Sequence, residues 1–151
     1  MIYQTPEAKQ LAEMITMILG VDAVVKPAKE LAGPTPEYVA TYVNRDSEVV
    51  ATCSCALPTA ASLGCALSMI PPGGAEGMVE DNEVSKMATD NFYVVMNIFS
   101  SLLMSDKSAH LKLTDVVRDA EKRLKPDAGE EAVFTLKLGA YGDGELVFNY
   151  T

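Results

Sequence analysis

The chain has 151 residues, of which 48% are hydrophobic and 22% are charged, and its net charge at pH 7 is −9. These values are ordinary for a globular protein and exclude the low-hydrophobicity composition of a disordered chain. A chain of this length buries one proper core, whereas two domains would both be undersized, so residues 1–151 are predicted to form a single domain. The negative charge predicts no nucleic-acid partner, because phosphate backbones attract basic surfaces.

The cysteines and the uncharged middle of the chain indicate in which cellular compartment the protein is found. Cys53, Cys55 and Cys65 are too few and too closely grouped for a disulfide framework, which favours a reducing cytoplasm. The first residues lack the basic and apolar regions of a signal peptide. Residues 49–75 carry no charge, but Pro58 and later prolines divide them into pieces too short to span a membrane. We therefore predict a cytoplasmic protein without a membrane partner.

The first half of the chain predicts a helix followed by strands. Pro6 suits a first helical turn, apolar residues recur at helical spacing up to Leu19, and Gly20 supplies a stop. Alternation of apolar residues predicts a short strand over 21–25 and an antiparallel hairpin of strands over 38–43 and 48–56. Pro58 then opens a helix of small residues that continues to about Ile70.

The second half predicts a long helix followed by strands. Residues 75–82 are predicted to be an acidic loop, residues 83–104 a helix, residues 110–114 a strand and residues 115–124 a short helical turn. Strands over 132–138 and 145–150 are predicted to join through a tight primed turn at Asp143 and Gly144, because Asp-Gly supplies the positive φ angles. This element order predicts an α+β fold in which helices pack on one side of an antiparallel sheet.

The helix over 83–104 carries two neighbouring stripes at a repeat of about 3.6 residues. The apolar stripe, predicted to face the core, contains Val84, Met87, Val95, Ile98 and Leu102. The second stripe contains Lys86, Asp90, Tyr93, Val94, Asn97 and Ser101. Asn97 is therefore predicted to lie outside the core.

The second stripe resembles the motif of the CheC/CheX/FliY family of chemotaxis phosphatases. That motif is Asp or Ser, three residues, Glu, two residues, Asn and a later Pro. Asp90 and Asn97 match it at the correct separation, whereas Val94 occupies the glutamate position and Ala120 the proline position. Weaker similarities in the same order extend over almost the whole chain, so the resemblance implies a CheC/CheX-like fold and a single CheX-like domain.

The resemblance also implies a partner and a reaction. In the family, this helix docks on a phosphorylated CheY-like response regulator and hydrolyses its aspartyl phosphate. Asn97 would orient the attacking water, and Asp90, one turn before Val94, would replace the missing glutamate in pairing with a regulator lysine. Placing a water in line is a large part of catalysis in phosphoryl transfer. The remaining partner-binding residues implied are Lys86, Tyr93, Val94 and Ser101.

Two alternatives remain open at this point. The first is a non-catalytic binding or scaffold member of the same fold, which the absence of Glu at 94 and of Pro at 120 favours. The second is an unrelated α+β binding domain, in which Asp90 and Asn97 only solvate a helix face. A homodimer is also plausible, since the family often pairs subunits and a strand over 145–150 could pair through a free edge.

The sequence predicts neither a cofactor nor a metal site. Cys53 and Cys55 lie two apart on a strand and share one face, but His110 is the single histidine and supplies no ligand cluster. Buried thiols behave as small hydrophobes, so core packing is the preferred interpretation. The glycines of 139–144 lack the strand, glycine-rich turn and helix order of a dinucleotide site.

Overall fold

One antiparallel sheet forms the framework of the protein. The computed structural model describes residues 3–105, 108–125 and 129–151. Within these residues the strands are β1 (Val24–Ala28), β2 (Tyr38–Val43), β3 (Val49–Cys55), β4 (Lys112–Arg118), β5 (Glu130–Lys137) and β6 (Asp143–Tyr150). They pair antiparallel in the order β1-β5-β6-β3-β2-β4. The predicted α+β fold is confirmed.

The helices are α1 (Ala8–Leu19), α2 (Leu57–Leu67), α3 (Pro72–Asp81) and α4 (Lys86–Phe99), and a 3-10 turn over Ser100–Leu102 continues α4. Buried apolar residues of these helices form one core with the facing side of the sheet. In its centre the rings of Phe99 on α4 and Phe148 on β6 lie 6.4 Å apart. No helix in the described parts of the chain is long and apolar enough to cross a membrane.

The strand order has an internal two-fold symmetry. Reversing it exchanges β1 with β4, β2 with β5 and β3 with β6, and a helix precedes each three-strand half. This arrangement agrees with the order of a helix followed by strands that the sequence predicts for each half. The helices α2 and α3 break the symmetry, because they lie between the halves.

The opposite side of the sheet buries both polar and apolar side chains, with Val39 and Val147 beside Ser54, and the segment after β4 covers part of it. Thr52, Ser54 and Asn149 are buried there. The backbone N–H of Leu124 donates a hydrogen bond of 3.1 Å to the Thr52 hydroxyl, which holds the covering segment on the sheet. This arrangement leaves the helices on one side, as the sequence predicts.

The predicted acidic loop over 75–82 is wrong, because most of these residues belong to α3. Pro72 occupies a first-turn position, where the N–H that proline lacks has no helical partner, and Asn82 ends the helix with a φ of 53°. Ala75 is buried, and the Met78 sulfur lies 3.9 Å from the Cys65 sulfur on α2. Packing on α2 therefore stabilises a helix that is rich in glycine.

The predicted tight turn at Asp143 and Gly144 is also wrong. Both residues begin β6, and the connection from β5 runs over residues 138–142 with Gly139 at φ 59° and Gly142 at φ 89°. Gly144 meets a different requirement, since a Cβ there would lie 2.3 Å from the Thr59 hydroxyl oxygen.

Three other strand predictions need correction. β1 begins three residues later than predicted and includes Pro27, which an edge strand tolerates. β4 continues to Arg118, so only Ala120–Lys122 forms a helical turn. β6 lies between β5 and β3, and therefore offers no free edge for a homodimer; the edges are β1 and β4.

Candidate functional site

The helix α4 begins where its sequence supplies a cap. The Ser85 hydroxyl accepts a hydrogen bond of 3.2 Å from the Ala88 N–H, so one of the unpaired donors of the first turn is satisfied. The side chains that α4 buries are Ala88, Phe92, Val95, Met96 and Phe99, which we call its inner face. Large apolar groups at this spacing fix which side of the helix faces the core.

Contacts with α2 hold α4 in one orientation. A Cβ on Gly64 would lie 2.2 Å from the Ala88 carbonyl oxygen, so only glycine permits this close approach. The Asn91 side-chain amide donates hydrogen bonds of 2.9 Å to the Gly64 carbonyl and 2.7 Å to the Ser68 hydroxyl. From the sheet, the Tyr42 hydroxyl donates to the Met96 carbonyl. The opposite side of α4 therefore faces solvent in a fixed orientation.

The outer face of α4 consists of the exposed residues Lys86, Met87, Asp90, Tyr93, Val94, Asn97 and Ser101. Six of these residues are the stripe predicted to lie outside the core, and their predicted exposure is confirmed. The prediction for Met87 is wrong: the sequence places it in the stripe that faces the core, but the residue is 58% exposed. In that turn of the helix it is Ala88 that faces the core, on the same side of α4 as Phe92 and Phe99.

The Asn97 side chain is available for contact with a partner. It is exposed, and among the described residues its amide group makes no hydrogen bond to another side chain or to the backbone. Its backbone carbonyl accepts a hydrogen bond of 2.7 Å from the Ser100 hydroxyl. An amide carries both donors and an acceptor, so this group can position a water or contact a polar partner.

Asp90 is already paired. Its carboxylate lies 3.0 Å from the Lys86 ammonium one turn earlier, and both side chains are largely exposed. Exposed pairs of this kind contribute little free energy, so the carboxylate can exchange Lys86 for a cation on a partner. Replacing the family's glutamate in this way would require breaking the pair with Lys86.

Apolar side chains lie among these polar groups. Val94 is 45% exposed and Tyr93 is 40% exposed, and Met87 lies two turns before Val94 on the same side of the helix. Grouped exposed apolar residues are typical of interaction sites. At its far end the outer face reaches Ser101, which borders a groove of about 470 Å³ that Met14 and Met17 of α1 also line.

The cysteines do not form a site. Cys53 and Cys55 are buried in the core, and burial raises the pKa of both thiols well above its ordinary range. His110 is exposed and lies in the segment before β4. Among residues 3–105, 108–125 and 129–151, no three His, Cys, Asp or Glu side chains come together as metal ligands do. Ala120, at the family's proline position, begins the 3-10 turn after β4.

Comparison by sequence matches the chain to no protein-family model and to no curated protein. Comparison of structures finds a chain of the FliM–SpeE complex from H. pylori, with 10% identity and a TM-score of 0.58, covering 95% of this chain and 80% of that one. The FliM middle domain from H. pylori matches with 9% identity and a TM-score of 0.52, covering 95% and 84%. A CheX protein from Desulfovibrio desulfuricans is a more distant match, with 9% identity, a TM-score of 0.40 and coverage of 93% of both chains.

The chain thus has the fold of the FliM middle domain. Identities of this size establish the fold alone. The narrower resemblance to the chemotaxis phosphatases, which the sequence implies through Asp90 and Asn97, stays a prediction.

Proposed function

We propose that the chain is a signalling domain that engages a CheY-like response regulator through the outer face of α4. The observation that carries the proposal is the exposure, on one rigid helix, of Met87, Tyr93 and Val94 beside the Asn97 amide, which has no hydrogen-bond partner among residues 3–105, 108–125 and 129–151. Apolar anchors beside a polar group that can read the partner are what a docking surface requires.

Two further facts support this proposal. The spacing of Asp90 and Asn97 is that of the regulator-docking helix of the chemotaxis phosphatases, and the chain has the FliM fold. The FliM–SpeE complex is a structure in which a matching chain accompanies a partner protein. A cytoplasmic location follows from the proposed partner.

A second function, dephosphorylation of the regulator, rests on Asn97 alone. Its free amide could orient a water toward an aspartyl phosphate. Val94 cannot form an ion pair with a regulator lysine, and Asp90 is paired with Lys86. Docking without efficient hydrolysis is therefore the function that the outer face supports best.

The docking proposal is tested by a matched pair of substitutions. Val94 on α4 is 45% exposed and Val24 on β1 is 48% exposed, so Val94→Arg and Val24→Arg add the same charge at equally exposed sites. Isothermal titration with the phosphorylated regulator from the same cell is expected to show at least about tenfold weaker binding for Val94→Arg only, since this corresponds to about 1.4 kcal/mol. Equal Kd values for both variants and the unaltered chain would reject the surface, and absence of any complex would reject the partner.

Hydrolysis is tested by following phosphate release from the regulator. We expect slow release with the unaltered chain and faster release with Val94→Glu, because the carboxylate restores the family's lysine contact. If the unaltered chain is active, Asn97→Ala is expected to lower the rate by about 100-fold, the scale of a positioning defect. If neither Asn97→Ala nor Asp90→Ala changes the rate at which the regulator loses its phosphate, these residues are rejected as catalytic groups.

The homodimer stays a prediction. If it forms through a sheet edge, β1 and β4 are the strands that present unpaired backbone groups. Light scattering on the full chain would test it, and a monomer at all concentrations would reject it.

A further inference from the structure

A cavity of about 540 Å³ lies apart from the outer face of α4. It is open to solvent on one side and is bounded by the loop over 31–36, the first turn of α2 and the adjoining ends of β5 and β6. Its apolar walls are formed by Leu31, Pro34, Pro36, Pro58 and Leu136. Pockets that bind small molecules have volumes of about 300–1,000 Å³ and mostly apolar walls, so this cavity is of the size and character that such a molecule needs.

A hydroxyl that makes no hydrogen bond to the described residues lines this cavity. Thr59, in the first turn of α2, is only 4% exposed, and its hydroxyl makes no hydrogen bond within the part of the chain that the structure describes. Gly144 lies against it, and a Cβ there would come within 2.3 Å of the hydroxyl oxygen. The hydroxyl is therefore free to exchange a hydrogen bond with water for one with a molecule that enters the cavity.

The loop that closes one side of the cavity is held in place. The two carboxylate oxygens of Glu145 on β6 accept hydrogen bonds of 2.9 Å from the Ala32 N–H and 2.7 Å from the Gly33 N–H. Pro34 and Pro36 restrict the backbone further along the loop. The cavity is therefore formed before a ligand arrives, which reduces the entropy lost on binding.

The charged residues around the cavity are one lysine and two carboxylates. Lys137 and Asp143 are exposed register partners on β5 and β6, and they carry opposite charges. The Glu145 carboxylate is engaged by the two N–H groups of the loop. The lining thus contains one positive and two negative charges, so it disfavours an anion, and the carboxylate left without a cation is engaged by the loop and is not free to pair with a ligand.

We infer that this cavity binds an uncharged, mostly apolar small molecule that carries one hydroxyl or carbonyl group for the Thr59 hydroxyl. The apolar body would contact the proline and leucine side chains, and the polar group would meet Thr59. The inference does not depend on docking at α4, since the two sets of residues are separate.

The test is a titration of the full isotope-labelled chain followed by amide chemical shifts. Benzyl alcohol, benzoate and benzylammonium share one ring and differ in charge. Benzyl alcohol is expected to give saturable shifts at Ala32, Leu136 and Gly144 and to bind more tightly than both ions. Equal or tighter binding of either ion would overturn the inferred ligand class, and absence of saturable shifts at these amides with all three compounds would overturn the site.

Two variants test separately the hydrogen bond of the Thr59 hydroxyl and the space in the cavity. Thr59→Val keeps the side-chain shape and removes the hydrogen bond, so benzyl alcohol is expected to bind about fivefold more weakly. Thr114→Val, at an exposed position of β4, is the matched control and should change nothing. Leu31→Trp should fill the cavity and abolish the shifts. An unchanged affinity in Thr59→Val, or retained shifts in Leu31→Trp, would contradict the inference, whereas Val94→Arg should leave the titration unaffected.

Discussion

The two faces of α4 differ in what determines their residues. On the inner face, Phe92 and Phe99 are completely buried, and Phe92 packs edge-on against Tyr38 with ring centroids 6.3 Å apart. On the outer face, Met87 and Val94 are apolar and yet exposed, and no packing within the described chain accounts for them. The inner face is thus explained by folding, whereas the outer face is explained by the proposed contact with a partner.

The largest effect is expected at the centre of the inner face. Phe92→Ala removes a fully buried ring and leaves a cavity, which is expected to lower the free energy of unfolding by about 3–5 kcal/mol. Urea denaturation followed by circular dichroism measures this. Phe92→Leu, which keeps most of the volume, should lose clearly less. A loss below about 1 kcal/mol in Phe92→Ala would show that the inner face is not packed as described.

The next effect concerns the approach of α2 to this face. Gly64→Ala places a methyl group 2.2 Å from the Ala88 carbonyl, so an overpacking loss of about 1–3 kcal/mol or more is expected. Gly77→Ala in α3 is the control, because a Cβ added there meets no group from another part of the fold within 4 Å, and the higher helix propensity of alanine should stabilise the variant by about 0.5–1 kcal/mol. Thermal unfolding should therefore shift in opposite directions; shifts of the same sign would contradict the close approach.

A smaller effect is expected at the start of the helix. Ser85→Ala removes the side-chain acceptor for the Ala88 N–H, which is expected to cost about 1 kcal/mol. Ser85→Asp retains an acceptor and should recover the loss. If both variants unfold at the same urea concentration as the unaltered chain, the cap does not stabilise α4.

The smallest effect on stability is expected on the outer face. Val94→Ser should change the free energy of unfolding by no more than about 0.5 kcal/mol, since surface substitutions rarely do more. The same substitution one residue later, Val95→Ser, places a hydroxyl in the core and is expected to cost about 2 kcal/mol or more. Similar losses at the two valines would remove the distinction between the faces.

Local patterns in the sequence predicted much of this fold. The strand over 38–43 was predicted with its observed bounds, Gly20 ends α1 at φ 68°, and the polar stripe of α4 is exposed as expected. These features depend on short-range properties, namely alternation, a glycine in the left-handed region and helical periodicity. Each of them can be identified without tertiary structure.

The errors occur where tertiary contacts override local preference. The helix α3 contains three glycines, and its packing on α2 is not apparent from propensity. Gly144 follows an aspartate as in a tight turn, but it is glycine because Thr59 approaches it. Met87 lies at the border between the two stripes of α4. It is exposed because the neighbouring Ala88 is the residue that faces the core. The cavity beside Thr59 joins three distant segments, so no local motif indicates it.

The outer face of α4 is proposed to contact a response regulator. The most direct test is to map amide chemical-shift changes in the full labelled chain when the regulator, activated with beryllofluoride, is added. The largest changes are expected at residues 86–101, centred on Val94 and Asn97, with little change on β1. Changes centred on another surface, or none at saturating regulator, would contradict it.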